Sequence, residues 1–112
     1  MGSIIGAAKT LFIDLDGTVL HTDTNDPLPY SVEKINAAYD KGYVILITTY
    51  RGHNWPPSSK FAVSNTLSLL RLIGLRYHHI IWDSPSPRVV INDDVAEAVN
   101  HPTNGSWQNY QL

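Results

Sequence analysis

The apolar residues of this chain fall into short continuous runs that alternate with longer stretches of helical spacing. The run Leu11–Ile13 is apolar at every position, which is typical of a parallel strand with helices on both faces. In contrast, Val32, Ile35 and Tyr39 recur on one face of a helix. The pattern predicts strands at 10–14, 43–47, 79–82 and 88–91, and helices at 31–41, 59–73 and 95–100.

Capping and turn residues mark the boundaries of these elements. Ser31 is placed to cap the first helix, and Gly42 is placed to end it. Ser58 or Ser59 is placed to cap the second helix, and Gly74 to end it. Strands that alternate with helices in this order are joined by right-handed crossovers into a mainly parallel sheet. We therefore expect an α/β domain with three layers, in which helices cover both faces of the sheet.

Length and composition narrow the class of protein. The chain of 112 residues fits one domain, in which we expect 1–8 to be flexible or vector-derived and 101–112 to be an irregular tail. The net charge is −2 without a run of like charges, which argues against a nucleic-acid surface. Cysteine is absent, and no apolar stretch reaches the roughly 18 residues that cross a bilayer. We expect a cytoplasmic protein without a membrane partner.

Polar residues follow the predicted strands at the points where the strands end. They are Asp14 and Asp16 after the first strand, Thr48 and Thr49 after the second, and Asn92, Asp93 and Asp94 after the fourth. Because parallel strands end at one edge of the sheet, where ligands bind, we expect these side chains to meet there. Mg²⁺ prefers oxygen ligands and needs one or two protein carboxylates, which Asp14 and either Asp93 or Asp94 can provide.

The residue types at this edge suit phosphoryl transfer. Asp14 can attack phosphorus as a covalent nucleophile while a bound cation offsets its repulsion from the phosphate. Asp16 can protonate the leaving oxygen and then activate a water molecule. Gly17 allows a sharp turn beside the phosphate, and Thr49 can donate a hydrogen bond to a phosphate oxygen.

These residues resemble the motifs of the haloacid dehalogenase superfamily of phosphatases. Asp14-Leu15-Asp16-Gly17-Thr18 resembles its first motif, Thr49-Tyr50-Arg51 its second, and Val89-Val90-Ile91-Asn92-Asp93 its fourth. The resemblance implies a Rossmann-like fold, a Mg²⁺ cofactor, an aspartyl-phosphate at Asp14, and Asp16 as general acid and base. It also implies that the metal is held by Asp14, by the backbone carbonyl of Asp16 and by Asp93, with Asp94 or Glu97 assisting through a water molecule.

The third motif departs from the family pattern. Where the family usually places a lysine before the fourth motif, residues 83–88 of this chain contain none. Arg88 or Lys60 is then the candidate cation beside the nucleophile, although arginine and lysine differ in shape and reach. The candidate phosphate-binding residues are Gly17, Thr48, Thr49, Arg51 and Arg88.

The loops at 18–31 and 50–59 are too short to hold a cap domain. By the resemblance, a capless site suits a bulky substrate or a homo-oligomer whose neighbouring subunit forms the lid. We expect a phosphatase that acts on a small phosphorylated substrate, such as a sugar phosphate or a nucleotide. The alternatives are a weak or inactive domain that binds a phosphorylated ligand or a protein partner, and a phosphotransferase.

Several single residues have more than one interpretation. Arg51 is either a solvated loop residue or a contact to phosphate or to the fold. Trp55 either lines the site, where it could stack on a base or sugar, or packs against the Pro56-Pro57 turn. Trp107 and Tyr110 are expected to fix the tail or to contact another subunit. The five histidines lack metal-ligand spacing, which disfavours a zinc site.

Overall fold

The computed structural model describes residues 9–105 and 107–112, and these contain three strands and two helices. In chain order they are β1 (Thr10–Asp14), α1 (Ser31–Asp40), β2 (Val44–Thr48), α2 (Val63–Ile73) and β3 (His79–Ile81). This order confirms the α/β class. Neither of the two helices is long and apolar enough to cross a membrane. Residues 1–8, which the sequence predicts to be flexible or vector-derived, lie outside the described residues.

The three strands form one parallel sheet in the order β1-β2-β3. Ile13 lies opposite Ile47, and Asp14 lies opposite Thr48, so β1 and β2 end at the same level. Thr48 in turn lies opposite Ile81 at the end of β3. The carboxyl ends of all three strands therefore meet at one edge of the sheet.

One face of the sheet carries the hydrophobic core. Ile13, Ile45 and Ile47 alternate with residues of the other face and are buried. They form one cluster with Ile35 of α1 and Leu70 of α2. Burial of these aliphatic side chains from both helices holds the helices against the sheet, since each fully buried side chain contributes about 1.5–3 kcal/mol.

The opposite face of the sheet is open within the described part of the chain. Phe12 is 58% exposed, and Val44 and Ile81 are also exposed. The prediction that both faces of β1 are covered is therefore wrong at Phe12. The core side chains of both described helices pack against the opposite face of the sheet. The described residues form two layers, and the predicted third layer is not seen among them.

α1 starts at the predicted residue and ends one residue earlier than predicted, and α2 ends as predicted but starts later. α1 begins at Ser31, but the Ser31 hydroxyl donates to the carbonyls of Val19 and Leu28, both at 2.9 Å, and so does not cap the helix. α2 begins at Val63, later than predicted, because the residues before it form turns. Gly74 ends α2 in the left-handed conformation with a φ of 74°, as the sequence predicts.

The predicted fourth strand and third helix are wrong. Residues 84–100 contain neither a helix nor a strand, and the apolar side chains at 89–91 are exposed, that of Ile91 at 94%. An apolar run becomes a strand only where a neighbouring strand takes up its backbone hydrogen bonds, and no described strand pairs with this run. Pro85 and Pro87 also remove two backbone donors just before it.

The C-terminal tail is irregular in its described positions, yet it packs against the domain. Trp107 is buried, and its indole N–H donates to the carbonyl of Thr18 at 2.8 Å. The rings of Trp107 and Tyr30 meet edge-on, with centroids 5.3 Å apart. The ammonium of Lys34 donates to the carbonyl of Tyr110 at 2.7 Å. These contacts fix the tail on α1 and on the loop that follows β1.

Candidate functional site

Asp14 is the last residue of β1 and lies at the edge where the strands end. Its side chain is 35% exposed, and Nη1 of Arg88 lies 3.3 Å from its Oδ1. Partial burial raises the pKa of Asp14, the Arg88 charge lowers it, and the charge of Asp16 raises it, so that the pKa stays above the usual value. Asp14 is therefore a partly open carboxylate with one cationic partner.

Asp16 has a different environment, because a buried arginine holds both of its carboxylate oxygens. Nη2 of Arg51 donates to Oδ1 at 2.7 Å, and Nε donates to Oδ2 at 2.9 Å. The Asp16 side chain is only 6% exposed and that of Arg51 is 0% exposed. A bidentate pair of this kind fixes the carboxylate in orientation. The sequence left open whether Arg51 is solvated or contacts phosphate or the fold. In the structure Arg51 contacts the fold.

The other donors of Arg51 are also used. Nη1 donates to the carbonyl of Lys60 at 3.0 Å and to the hydroxyl of Thr66 at 3.2 Å, and Nη2 donates to Oδ1 of Asn25 at 2.7 Å. Arg51 thus ties the loop after β1 to the segment before α2. Sequence analysis missed Asn25 and Thr66. The turn sequence at 25–27 is a signal that could have marked Asn25, which has a φ of 66°.

Gly17 forms the tight turn that follows the two aspartates. Its φ is 83°, and its N–H donates to the carbonyl of Leu20 at 2.7 Å. A Cβ at this position would lie 3.1 Å from Cγ2 of Thr103, so both the conformation and the space favour glycine. The Gly17 carbonyl accepts from the amide of Asn104 at 3.0 Å. The C-terminal tail therefore braces the loop that carries Asp16.

Thr48 and Thr49 lie at the end of β2, beside the aspartates. The carbonyl of Thr48 accepts from the amide of Leu15 at 3.2 Å, which links β2 to the residue between the two acids. Thr49 is fully buried, and its hydroxyl oxygen accepts from the amide of Arg51 at 3.1 Å. This hydroxyl donates to no described residue, and its side chain has no exposed surface.

The two candidate cations lie in different places. Besides its contact with Asp14, Arg88 donates through Nη2 to the carbonyl of Ser84 at 2.6 Å, so its guanidinium is held beside the Asp14 carboxylate. The Lys60 ammonium instead approaches the carbonyls of Thr22 and Asp23, both at 3.4 Å. In this structure Arg88, and not Lys60, is the cation next to Asp14.

Asp93 and Asp94 are not brought to this edge. Both are exposed and lie in the irregular segment 84–100. The Asp94 carboxylate accepts from the adjacent amide of Val95 at 2.7 Å. Among the described residues, no group of three or more His, Asp or Glu side chains is placed to hold a metal ion. The Asp14 carboxylate at the edge is partly exposed, and Mg²⁺ can be bound through one or two protein carboxylates with water as the remaining ligands.

Gly52 and Asp83 join the loop after β2 to the end of β3. Asp83 Oδ2 accepts from the amide of His53 at 3.2 Å, and Oδ1 accepts from that of Asn54 at 3.3 Å. A Cβ at Gly52 would lie 2.5 Å from Oδ1 of Asp83, so only glycine fits. Burial acts to raise the pKa of Asp83, but hydrogen bonds from His53 and Asn54 outweigh it and lower the pKa. Sequence analysis missed Asp83.

Comparisons with known proteins give no assignment. No family model matches the chain, and no curated protein or solved structure matches it either. The function is therefore inferred from the residues and their geometry.

Proposed function

We propose that this protein is a Mg²⁺-dependent phosphatase that hydrolyses a phosphate monoester through an aspartyl-phosphate at Asp14. The observation that supports the proposal is the pair of carboxylates at the edge of the sheet in unequal environments. Asp14 is partly open and has a cation beside it, whereas Asp16 is buried and fixed by Arg51. Asp14 is the carboxylate that a phosphoryl group can reach, as its proposed role of nucleophile requires, and the family resemblance assigns the proton transfer to Asp16.

The reaction assigns a task to each residue. A carboxylate oxygen of Asp14 attacks phosphorus, the ester P–O bond breaks, and the leaving oxygen takes its proton from Asp16. A water molecule then attacks the phosphorus of the aspartyl-phosphate and gives a proton to Asp16, which frees Asp14 and inorganic phosphate. Thr49 donates a hydrogen bond to a phosphoryl oxygen, and Arg88 offsets its negative charge. Arg51 positions Asp16.

Mg²⁺ would be held by the Asp14 carboxylate and, by the resemblance, by the backbone carbonyl of Asp16, and water molecules and the phosphate would complete its ligands. When bound, the ion offsets the repulsion between the Asp14 carboxylate and the phosphate. The requirement for a metal follows from the chemistry of an anionic nucleophile and an anionic substrate.

We also propose the finer fold assignment, a three-layer α/β/α sandwich of the haloacid dehalogenase type without a cap domain. The exposed apolar side chains of Phe12, Val44 and Ile81 support it, since they are of the kind that a second helical layer covers. The short loops that follow β1 and β2 support the absence of a cap.

A steady-state assay with an aryl phosphate tests the proposed activity. We expect turnover in the presence of Mg²⁺, loss of turnover on addition of EDTA, and a fall of at least roughly 1,000-fold in kcat for Asp14→Asn, because the nucleophile is removed. Asp40→Asn is the matched control, since Asp40 is a surface carboxylate paired with Arg76. Pure, folded protein that turns over neither aryl, sugar nor nucleoside phosphates would overturn the proposal.

A second candidate is an inactive domain that binds a phosphorylated ligand. Its supporting observation is that Asp14 and Asp16 both have an arginine partner, while no third acidic side chain lies with them among the described residues. In this case inorganic phosphate binds with the same affinity to the wild type and to Asp14→Asn. Isothermal titration in the presence of Mg²⁺ distinguishes this candidate from the phosphatase.

A further inference from the structure

A cavity of about 310 Å³ opens beside the candidate site. It is lined by Tyr50, Asn54, Trp55, Asp83 and Pro85. Its volume lies at the lower end of the roughly 300–1,000 Å³ that small-molecule sites span, so it suits a single ring system. The proposed phosphatase chemistry uses none of these five side chains.

The aromatic wall of the cavity is held in place before any ligand binds. The ring centroid of Trp55 lies 6.0 Å from that of Tyr50 and 4.9 Å from that of Phe61. The indole N–H of Trp55 donates to the carbonyl of Tyr50 at 3.2 Å. Tyr50 and Trp55 nevertheless keep 37% and 36% of their surface exposed. A fixed, exposed aromatic surface binds a flat group at low entropic cost.

Polar groups lie next to this wall. The side-chain amide of Asn54 forms no hydrogen bond with any described residue, so both its donor and its acceptor are available. The Asp83 carboxylate is held by the amides of His53 and Asn54 and by Nδ1 of the His53 ring at 3.1 Å, which leaves about one of its roughly four lone pairs for a ligand donor. The negative charge of Asp83 also opposes a second phosphate group in the cavity.

The cavity adjoins Asp14 through one arginine. Pro85 of the cavity follows Ser84, whose carbonyl accepts from Nη2 of Arg88 at 2.6 Å. Nη1 of the same guanidinium lies 3.3 Å from Asp14. Burial and the charges of the two catalytic aspartates raise the pKa of Tyr50, in keeping with this proximity. Arg88 therefore links the rim of the cavity to Asp14, and Tyr50 of the cavity lies within range of the Asp14 charge.

We infer that the cavity binds the nucleobase of a nucleoside monophosphate, an inference that rests on the proposed phosphatase function. The base stacks on Trp55, and its amino and ring nitrogen atoms form hydrogen bonds with Asp83 and Asn54. The phosphate then reaches Asp14. Because Asp83 opposes further phosphate groups, the monophosphate is preferred over the diphosphate and the triphosphate.

Binding of nucleosides without phosphate tests the cavity independently of catalysis. Adenosine, guanosine, cytidine and uridine are titrated into the wild type by calorimetry without Mg²⁺, and at least one is expected to bind. Trp55→Leu weakens this binding by about tenfold, because a stacking surface is lost. Trp55→Phe keeps most of the binding. Phe12→Leu is the matched control, since Phe12 is an exposed aromatic side chain outside the cavity.

Steady-state kinetics provides a second test of the cavity. For the nucleotide of the best-bound nucleoside, kcat/KM is expected to exceed that for ribose 5-phosphate by about tenfold, and Trp55→Leu is expected to abolish the difference. Hydrolysis of both substrates at equal rates, with no nucleoside bound, overturns the inference and leaves the phosphatase standing. Nucleoside binding that depends on Trp55, without turnover of any phosphate, supports the cavity and overturns the phosphatase.

Discussion

Asp14 and Asp16 lie two positions apart in the sequence, and tertiary contacts give them different properties. Asp14 meets Arg88 through a single contact and has a raised pKa. Asp16 receives two of the five hydrogen bonds that the buried Arg51 guanidinium donates. The motif predicts which residues react, but the arginines that adjust them are recognised only from their contacts.

Removal of the buried guanidinium should destabilise the protein strongly. Arg51→Met leaves the Asp16 carboxylate buried without a partner, and we expect a loss of about 3–5 kcal/mol in the free energy of unfolding. Arg51→Lys should not restore it, because lysine cannot form the bidentate pair. Arg76→Met, which breaks the exposed pair with Asp40, should cost about 1 kcal/mol or less. Urea unfolding measures all three, and equal losses at Arg51 and Arg76 would contradict the argument.

Substitution of Arg88 should change the pH dependence of the proposed catalysis. Because the Arg88 charge lowers the pKa of Asp14, Arg88→Gln raises that pKa further and leaves more of the nucleophile protonated at a given acidic pH. The acid limb of the kcat/KM profile should therefore move to higher pH. Lys60→Gln should leave this limb in place, since Lys60 contacts Thr22 and Asp23 instead. A shift in the Lys60 variant alone would identify Lys60 as the catalytic cation.

At the scale of elements, short-range signals located most of the structure. β1 was predicted with its observed bounds, and β2 is shifted by one position, because continuous apolar runs are bounded by polar residues. Gly74 ended α2 as predicted, because a left-handed terminal residue strongly favours glycine. The start of α2 was missed, since the residues before Val63 form turns that carry the backbone contact from Lys60 to Arg51.

The segment 84–100 shows where local signals fail. Its apolar run at 89–91 has the composition of a buried strand, yet the side chains are exposed. Strand composition alone does not provide a partner, and the hydrogen bonds of a strand are made with another segment. Asp93 and Asp94 follow this run, so their predicted position at the sheet edge depended on a strand that the structure lacks. The described structure does not place either carboxylate with Asp14 and Asp16.

At the scale of the whole molecule, the C-terminal tail contributes to both the core and the site. Trp107 belongs to the main hydrophobic cluster, although it lies outside the helices and strands. Asn104 braces the turn at Gly17 through backbone and side-chain contacts, and its Oδ1 accepts from the amide of Thr22 at 2.8 Å. In a domain of this size the core is small, so one aromatic side chain from a tail is a substantial share of it.

Loss of this aromatic anchor should destabilise the domain. We expect Trp107→Ala to lower the free energy of unfolding by about 3–5 kcal/mol, because a buried aromatic ring is replaced by a cavity. Leu72→Ala is the control, since Leu72 is 83% exposed, and it should cost about 0.5 kcal/mol or less. Chemical denaturation measures both. A small loss for Trp107→Ala would show that the tail is not part of the folded core.

The sequence by itself determined the α/β class, the three parallel strands and the position of Asp14 and Asp16 at their common edge. These features depend on local periodicity, on turn residues and on the rule that parallel strands end at one edge. It also placed Thr49 beside the acids, because Thr49 directly follows β2.

Only the tertiary structure decided which cation meets Asp14, that Arg51 is buried against Asp16, and that Trp55 lines a cavity. Those outcomes depend on contacts between residues far apart in the chain, and on burial that changes the energy of a charge. The type of a residue and its spacing in the sequence do not show which distant residue it will contact. The candidate groups Asp14 and Asp16 are therefore visible in the sequence, whereas their electrostatic environment is established only when the chain folds.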